Sequence, residues 1–169
     1  MTTITTFSTE VETFAELQDD FLALTDRIVW CTVATVDRQQ RPRTRILHVA
    51  WEIDGDRPVG RVTTRRTPVK TDHLARNNFV SCSYWTAQHD VVFADCQASW
   101  VDDQEAKERA WNVMAPKAVR LGYDPYAAWP GGPTDPTFCV LRFDPWRVQV
   151  TLADLGAGQT IHSSRVWHA

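Results

Sequence analysis

Residues 41–78 read RPRTRILHVAWEIDGDRPVGRVTTRRTPVKTDHLARNN, and this stretch decides the fold that we predict for the 169-residue chain. It contains two apolar runs, 42–53 and 59–64, which have the composition of β-strands and are joined by an Asp-Gly-Asp turn. Pro68 follows the second run and suits the first turn of a helix over about 68–77, where its missing N–H does no harm. The stretch therefore predicts a β-hairpin that leads directly into a short helix.

The same stretch is locally basic, although the chain as a whole has a net charge of −3. Nine of the 18 Lys and Arg residues lie between Arg41 and Arg76. Arg43 and Arg45 share one face of their strand, because alternate strand residues point the same way. Lys70 falls in the first turn of the predicted helix, where free N–H groups and a cation together suit a phosphate. The pattern indicates an anion site; the alternative is a solvated, charged turn between two strands.

The remaining segments predict mostly further strands. Strands are expected over residues 28–36, 79–85, 91–101, 137–143 and 146–152. Helices are expected from a Thr13–Glu16 capping box to about residue 26, over 104–114, and over a separate short segment at 115–121. Residues 1–12 are expected to form a loose lead-in, and the Pro/Gly-rich residues 122–136 a long loop. We therefore predict a single domain over 1–169, mainly β (α+β), with a closed antiparallel barrel and peripheral helices.

Composition argues against several functional classes. The slightly acidic balance disfavours a general nucleic-acid binder. No apolar run is long enough for a membrane-spanning helix, and the first residues lack the pattern of a secretory signal, so we expect no membrane association and a cytoplasmic location. The four cysteines form no C-x-x-C pair and are expected to be buried, reduced thiols. The five histidines are scattered, so we predict no metal site.

Three motifs in order carry a resemblance to a known family. They are A-T-V-D at 34–37, R-P-R-T-R-I-L at 41–47 and V-T-T-x-x-x-P-x-K-x-x-x-L-x-x-N-N at 62–78. In order and spacing the chain resembles the pyridoxamine 5′-phosphate oxidase-like family of FMN-binding split barrels over about residues 28–100, with a weaker echo at 141–150. The resemblance implies a six-stranded antiparallel split β-barrel with peripheral helices. It also implies a homodimer with FMN at the subunit interface, and hydride transfer to or from an unidentified small molecule.

The resemblance also implies which residues bind the cofactor. Arg45 and Lys70 would hold the FMN phosphate, and both are expected to be exposed in the empty protein. The backbone after Arg45 would run beside the flavin ring. The two threonines at 63 and 64 would bond ribityl or phosphate oxygens. The full cofactor-binding set is Arg43, Arg45, Ile46, Leu47, His48, Thr63, Thr64, Val69, Lys70 and Trp146.

Some positions depart from the family pattern and leave the substrate open. Val69 stands where a second phosphate-binding Arg is common, a role that Arg65 or Arg66 is available to take over. Ala50 replaces a Lys that contacts the substrate phosphate, and Val91 replaces a flavin-binding Gln. Oxidation of pyridoxine or pyridoxamine phosphate is therefore expected to be weak or absent. The alternatives are an F420-dependent reductase on the same fold and a flavin-binding or stress-response protein without turnover. His48 is expected to be a strand-face residue, and we assign no catalytic residue.

Overall fold

The computed structural model describes residues 5–154 and 161–169, and these residues contain nine strands in one sheet. The strands are β1 (Thr5–Val11), β2 (Trp30–Val36), β3 (Pro42–His48), β4 (Ala50–Asp54), β5 (Arg57–Thr64), β6 (Phe79–Trp85), β7 (Val91–Val101), β8 (Cys139–Asp154) and β9 (Ile161–His168). The helices are α1 (Gln18–Ile28), α2 (Pro68–Arg76), α3 (Gln104–Arg120) and α4 (Pro125–Ala128), with single 3-10 turns at Phe14–Glu16 and Gly132–Thr134. None of the helices in this part of the chain has the length and apolarity needed to cross a membrane.

The barrel consists of antiparallel strands, each paired with the next. The segment β3–β4 bends and closes it. β3 pairs with β2, β2 with β6, β6 with β7, β7 with β8, β8 with β5, and β5 with β4. Only Val49 separates β3 from β4, so this segment passes from the edge of β2 to the edge of β5. Counted as one strand, β3 and β4 give the six barrel strands expected from the sequence. The predicted fold class, a mainly β split barrel with peripheral helices, is confirmed.

Two strands outside that circuit correct the prediction. Residues 5–11, expected to be loose, form β1, which pairs in parallel with β9. β9 in turn adds to the edge of β8, so the sheet has nine strands and is mixed rather than wholly antiparallel. The polar, Thr-rich sequence of β1 does not indicate a strand. The strand forms because the edge of β9 is available for pairing. Residues 1–4 of the expected lead-in lie outside the described residues.

Two predicted interruptions of secondary structure are absent, because one strand and one helix each continue through a proline. The segments 137–143 and 146–152 belong to one long strand, β8, and the register shift opposite Cys96 accommodates Pro145 in a bulge. The helix expected to end at residue 114 continues through Pro116 to the end of α3, so a proline costs one helical bond here and not the helix. The expected loop 122–136 contains α4 and a 3-10 turn.

The main core fills the barrel and is closed by the start of the first helix. Phe14 and Phe21 are fully buried there, and the Phe21 ring meets Trp51 edge to face at 5.0 Å. The predicted capping box is present, since the Glu16 carboxylate accepts from the Thr13 N–H at 2.9 Å. The expected buried thiols are confirmed for the three cysteines at 31, 82 and 96, which have no exposed surface.

A smaller core on the outside of the barrel fixes α3. Its centre consists of Ala110 and Trp111 from the helix, Phe138 from the segment before β8, and Val140 from β8. The Trp111 and Phe138 rings pack edge to face, with centroids 5.3 Å apart. This packing holds α3 beside β5 and leaves a gap between the helix and β3.

Candidate cofactor site and adjoining cleft

Strand β3 presents different chemistry on its two faces. Arg45 lies opposite Val33 in the β2–β3 register, and Val33 is buried inside the barrel. Arg45 therefore belongs to the inner face, and its neighbours Ile46 and His48 belong to the outer face. The strand thus separates a basic environment from an apolar one.

Lys70 reaches the inner basic region from α2. Its ammonium group donates to the Thr64 hydroxyl and, at 3.1 Å, to the carbonyl of Arg65. Lys70 and Arg45 line the same small void between α2 and the barrel. Lys70 is only 7% exposed and Arg45 is half-buried, so the expectation that both are exposed in the empty protein is wrong. The reason is that α2 lies against the barrel and covers the lysine stem.

Most of the basic stretch is already neutralised or engaged elsewhere. The engaged side chains are Arg41 with Asp37, Arg61 with Glu52, Arg66 with Asp102, Arg76 with Asp72, Arg65 with the Ala128 carbonyl, and Arg57 over the Trp167 ring. Within the described residues, Arg43, Arg45 and Lys70 have neither a carboxylate partner nor an aromatic ring beneath them. Arg57 and Arg65 also keep their charge, but both are exposed, whereas Arg45 is half-buried and Lys70 is buried. Arg65 and Arg66, considered as substitutes at the phosphate, are committed to other contacts.

The two inner cations destabilise each other. Burial lowers the pKa of Lys70 below its ordinary value, and the nearby Arg45 guanidinium lowers it further. Burial also lowers the pKa of Arg45, with the neighbouring Arg43 as the second cause. Two partly desolvated like charges are unfavourable unless an anion joins them. The electrostatics of the inner face therefore fit a bound anionic group.

Two buried polar residues that the sequence reasoning missed hold Arg45 in place. Arg45 donates to the Thr35 hydroxyl at 3.0 Å, and that hydroxyl lies 3.0 Å from Nδ1 of His73. The Thr35 hydroxyl therefore links the Arg45 guanidinium to the His73 ring. Both residues are almost fully buried. Two signals could have found them: Thr35 alternates with buried β2 residues, and His73 lies three residues after Lys70 on one helix face.

The outer face of β3 borders a cleft of about 300 Å³. Its barrel side includes Ile46, Leu47, His48 and Thr63, which are four of the residues predicted to bind the cofactor. The inner cations lie on the other side of β3 from this cleft. Thr64, which accepts from Lys70, is the last residue of β5. The structure therefore brings most of the predicted site residues into two adjoining regions.

The opposite wall of the cleft comes from α3 and was not predicted. Trp111, Met114, Ala115 and Ala118 recur every three or four residues and face the cleft together. The indole of Trp129, which follows α4, also lines it. The helical spacing was visible in the sequence, but an apolar helix face is far more often core than ligand wall, so pattern alone could not assign it.

His48 is the titratable side chain on the barrel side of the cleft, which it shares with the Thr63 hydroxyl. Burial lowers its pKa below the ordinary histidine value, Lys117 lowers it further, and Asp26 partly opposes that effect. The ring is therefore neutral near pH 7 and can both donate and accept a hydrogen bond. It also packs beside the Trp30 indole, with ring centroids 6.3 Å apart.

Two predicted residues lie apart from the rest. Val69 is 56% exposed on α2, and its side chain contributes no polar group. Trp146 is exposed at the bulge of β8 and borders a separate groove with Phe79 and Asp95. Within one copy of the chain, neither residue joins the cleft.

The sequence matches one protein family over most of its length. Residues 17–152 match the family described as pyridoxamine 5′-phosphate oxidase. The chain therefore belongs to the pyridoxamine 5′-phosphate oxidase family. No curated protein sequence matches it significantly.

Solved structures of the same fold share little sequence with this chain. A Clostridium acetobutylicum protein related to general stress protein 26 superposes with a TM-score of 0.64 at 15% identity, covering 80% of this chain and 87% of that one. General stress protein 26 from Bacillus anthracis gives 0.60 at 18% identity, covering 80% and 93%. A pyridoxamine 5′-phosphate oxidase-related, FMN-binding protein from Nostoc punctiforme gives 0.57 at 17% identity, covering 85% and 86%. At these identities the similarity establishes the fold alone.

Proposed function

We propose that the protein binds FMN and acts as an oxidoreductase that transfers a hydride to or from a small molecule. The observation that carries this proposal is the pair Arg45 and Lys70. They are two partly buried cations without a carboxylate partner among the described residues, and they line one void beside an apolar cleft. FMN combines a phosphate with a flat aromatic ring, so the two cations match one end by charge and the cleft matches the other end by its apolar lining. The FMN-binding relative from Nostoc punctiforme supports the choice of cofactor.

Each part of the site has a separate task in this proposal. Arg45, Lys70 and the Thr64 hydroxyl hold the phosphate, with the exposed Arg43 adding charge at the entrance. The backbone of β3 from Ile46 onward, together with Thr63 and Leu47, lies beside the ring, and His48 offers a neutral hydrogen-bonding group. When bound, the flavin supplies the hydride chemistry, whereas the chain supplies position and electrostatics.

A homodimer is part of the proposal because the outer barrel face is unusually apolar. Large side chains between 36% and 60% exposed project from β2, β3, β6 and β7 on that side: Trp30, Ile46, Phe79, Trp85 and Phe93. A two-fold related copy would cover such a patch and form two equivalent clefts. In such a dimer, Trp146, which is exposed beside the same face, could contact the cofactor bound at the other copy.

The proposal includes a substrate that is not bound through a phosphate as in the oxidases. Ala50, which stands in place of a substrate-binding Lys, is fully buried and provides no charge. Losing one charge-assisted bond costs about 1.5–3 kcal/mol of binding. Oxidation of pyridoxine phosphate or pyridoxamine phosphate should therefore be weak or absent, and robust turnover of either would contradict this part of the proposal.

A cytoplasmic location also belongs to the proposal. All four cysteines are free thiols, and three of them are fully buried in the barrel. Free thiols fit a reducing compartment better than an oxidising one.

The cofactor proposal is tested on purified protein. We expect a flavin absorption spectrum, release of a ligand with the mass of FMN, and sedimentation as a dimer at micromolar concentration. A deazaflavin spectrum would favour F420 instead. Bound FMN that no nicotinamide or candidate substrate reduces would indicate a flavin-binding protein without turnover. A stable monomer that binds neither FMN nor F420 would contradict the proposal.

A further inference from the structure

The α3 side of the cleft is not needed to hold the cofactor phosphate, and its chemistry restricts what else can bind. We propose that the cleft takes a neutral, flat, aromatic substrate carrying one hydrogen-bonding group. This inference rests on the proposed function, because the substrate would lie between the flavin ring beside β3 and the wall formed by α3 and the segment after it.

The charge distribution supports a neutral ligand. No Lys or Arg side chain lines the cleft among the described residues. The carboxylate there, Asp124, caps α4 by accepting from the Tyr126 N–H at 2.9 Å. Two cations lie outside this lining and are engaged elsewhere: Lys117 lies in an adjoining groove behind His48 and is paired with Asp26 at 2.9 Å, and Arg65 donates to the Ala128 carbonyl at 2.7 Å. An anionic substrate would therefore lose hydration without gaining a cation, and it would approach a carboxylate.

The shape of the cleft supports a flat, aromatic ligand. Ala115 and Ala118 face it one helical turn apart and leave space where larger side chains would fill it. Trp111 borders that space on the helix, and Trp30 and Tyr123 form an edge-to-face pair with centroids 5.8 Å apart at the same cleft. Rings with apolar faces favour stacked or edge-on aromatic partners over flexible chains.

We assign the substrate's hydrogen-bonding requirement to His48, because the proposed function places Thr63 beside the flavin and Asp124 caps α4. The neutral imidazole of His48 is half-buried on the barrel side and borders both the cleft and the polar groove behind it. A ligand hydroxyl or carbonyl can bond to it, whereas a wholly apolar ligand leaves it without that partner. We therefore expect specificity for one correctly placed oxygen or nitrogen.

Three probes of equal ring size test the class of ligand: naphthalene, 2-naphthol and 2-naphthoate. Binding is measured by calorimetry and by change in the visible flavin spectrum, using FMN-loaded protein, and by calorimetry alone using flavin-free protein. We expect 2-naphthol to bind FMN-loaded protein at least tenfold more tightly than 2-naphthoate and severalfold more tightly than naphthalene. The preference over naphthalene should disappear in His48→Leu. Equal or tighter binding of 2-naphthoate would overturn the proposal.

Matched helix variants test the location. Ala118→Phe fills the cleft and should weaken 2-naphthol binding at least tenfold, whereas Val119→Phe changes the exposed neighbour outside the cleft and should not. Ala115→Leu provides a smaller filling change if Ala118→Phe fails to fold. An unchanged affinity in the folded filling variants would place the ligand elsewhere and overturn the proposal.

Parallel FMN titrations separate this inference from the proposed function. If FMN and 2-naphthol exclude one another, the cleft holds only the flavin ring, and the substrate assignment is wrong. If the protein binds no FMN but the flavin-free form still selects 2-naphthol with the expected variant pattern, the proposed function fails while the ligand class of the cleft is supported.

Discussion

The two sides of strand β3 differ in charge and in available space. On the inner side, Arg45 and Lys70 border a void of about 10 Å³, which is too small to enclose a phosphate, so the proposed phosphate would contact these closely packed side chains from outside the void. On the outer side, Ile46 and His48 border a cleft of about 300 Å³ with almost no charge. Charged side chains bind a small anion best when they are already held in place before binding. An aromatic ring instead needs a larger space with apolar walls. One strand can therefore serve both ends of a ligand that is anionic at one end and flat at the other.

A second contrast lies within the basic stretch itself. Arg41 is held by Asp37 at 2.8 Å, and this pairing and the Asp37 bonds to backbone N–H groups stabilise the β2–β3 turn. Arg45, four residues later, donates to a neutral hydroxyl and has no carboxylate partner in the part of the chain that the structure describes. The first arginine stabilises the turn, and we propose that the second retains its charge for a ligand.

The largest expected effect comes from reversing the charge on the inner side. Arg45→Glu places a carboxylate beside Lys70, where it would pair with the lysine and repel a phosphate. FMN affinity should fall more than a hundredfold, since two charge-assisted contacts of about 1.5–3 kcal/mol each are lost. Fluorescence titration measures the change. Arg38→Glu, an exposed reversal in the same hairpin, is the control and should bind FMN normally. Normal FMN binding by Arg45→Glu would show that the inner side is not the phosphate site.

The next effect is a pH dependence confined to the phosphate end. The pKa of Lys70 is lowered from 10.5, so the empty site loses its charge at a lower pH than an ordinary lysine would. The ratio of FMN to riboflavin affinity should therefore fall by about tenfold as the pH rises from 7 towards 10.5. Ring titration affects both ligands alike and cancels in the ratio. In Lys70→Ala the ratio should be flat over this range, and a wild-type slope there would assign the titration to another group.

A smaller effect should appear in the stability of the empty protein. The lowered pKa of Lys70 means that folding disfavours its charge, so Lys70→Met should raise the free energy of unfolding by about 1 kcal/mol at pH 7. The cost in wild type is present below the folded-state pKa and is relieved as the pH rises towards 10.5. The difference in unfolding free energy between Lys70→Met and wild type should therefore shrink as the pH rises. Urea unfolding of the flavin-free proteins at pH 7 and at high pH measures this difference. A Met variant less stable than wild type at pH 7 would contradict the account.

The smallest effect concerns the paired cation in the turn. Hydrogen bonding from Arg41 lowers the pKa of Asp37 from 3.8 to about 2. The stabilisation is therefore present above pH 3.8 and is lost as the pH falls towards 2. Asp37→Asn should be less stable than wild type at pH 7, and the difference should shrink on acidification. FMN affinity should not change. An altered FMN affinity would mean that the turn and the inner site are coupled.

How far the sequence predicted the fold depended on where the deciding contacts lay. The hairpin at 42–64 and the helix at Pro68 were predictable, because local turn and capping chemistry determines them. β1 was not predictable, because its pairing partner β9 lies almost the whole chain away. The continuity of β8 and α3 through prolines was missed for a related reason: packing against neighbours outweighs a local breaker.

The candidate site divides in the same way. The residues at 45 and 70 followed from charge and from the family resemblance, but their burial did not, because it depends on how α2 packs. Thr35 and His73 are brought together by tertiary structure alone, 38 residues apart in sequence. The α3 wall of the cleft looked like an ordinary apolar helix face. Only the gap between that helix and β3 distinguishes it from core.

The central claim is that Arg45 and Lys70 hold a phosphate, and the most direct measurement compares FMN with riboflavin, which lacks it. Wild type, Arg45→Ala and Lys70→Ala are titrated with both ligands, after thermal melting shows that the variants fold. The account predicts that each variant loses about tenfold to more than a hundredfold in FMN affinity and changes little towards riboflavin. Equal losses for both ligands would mean that the residues shape the pocket. No loss for either ligand would return the basic stretch to a solvated, charged turn and contradict the account.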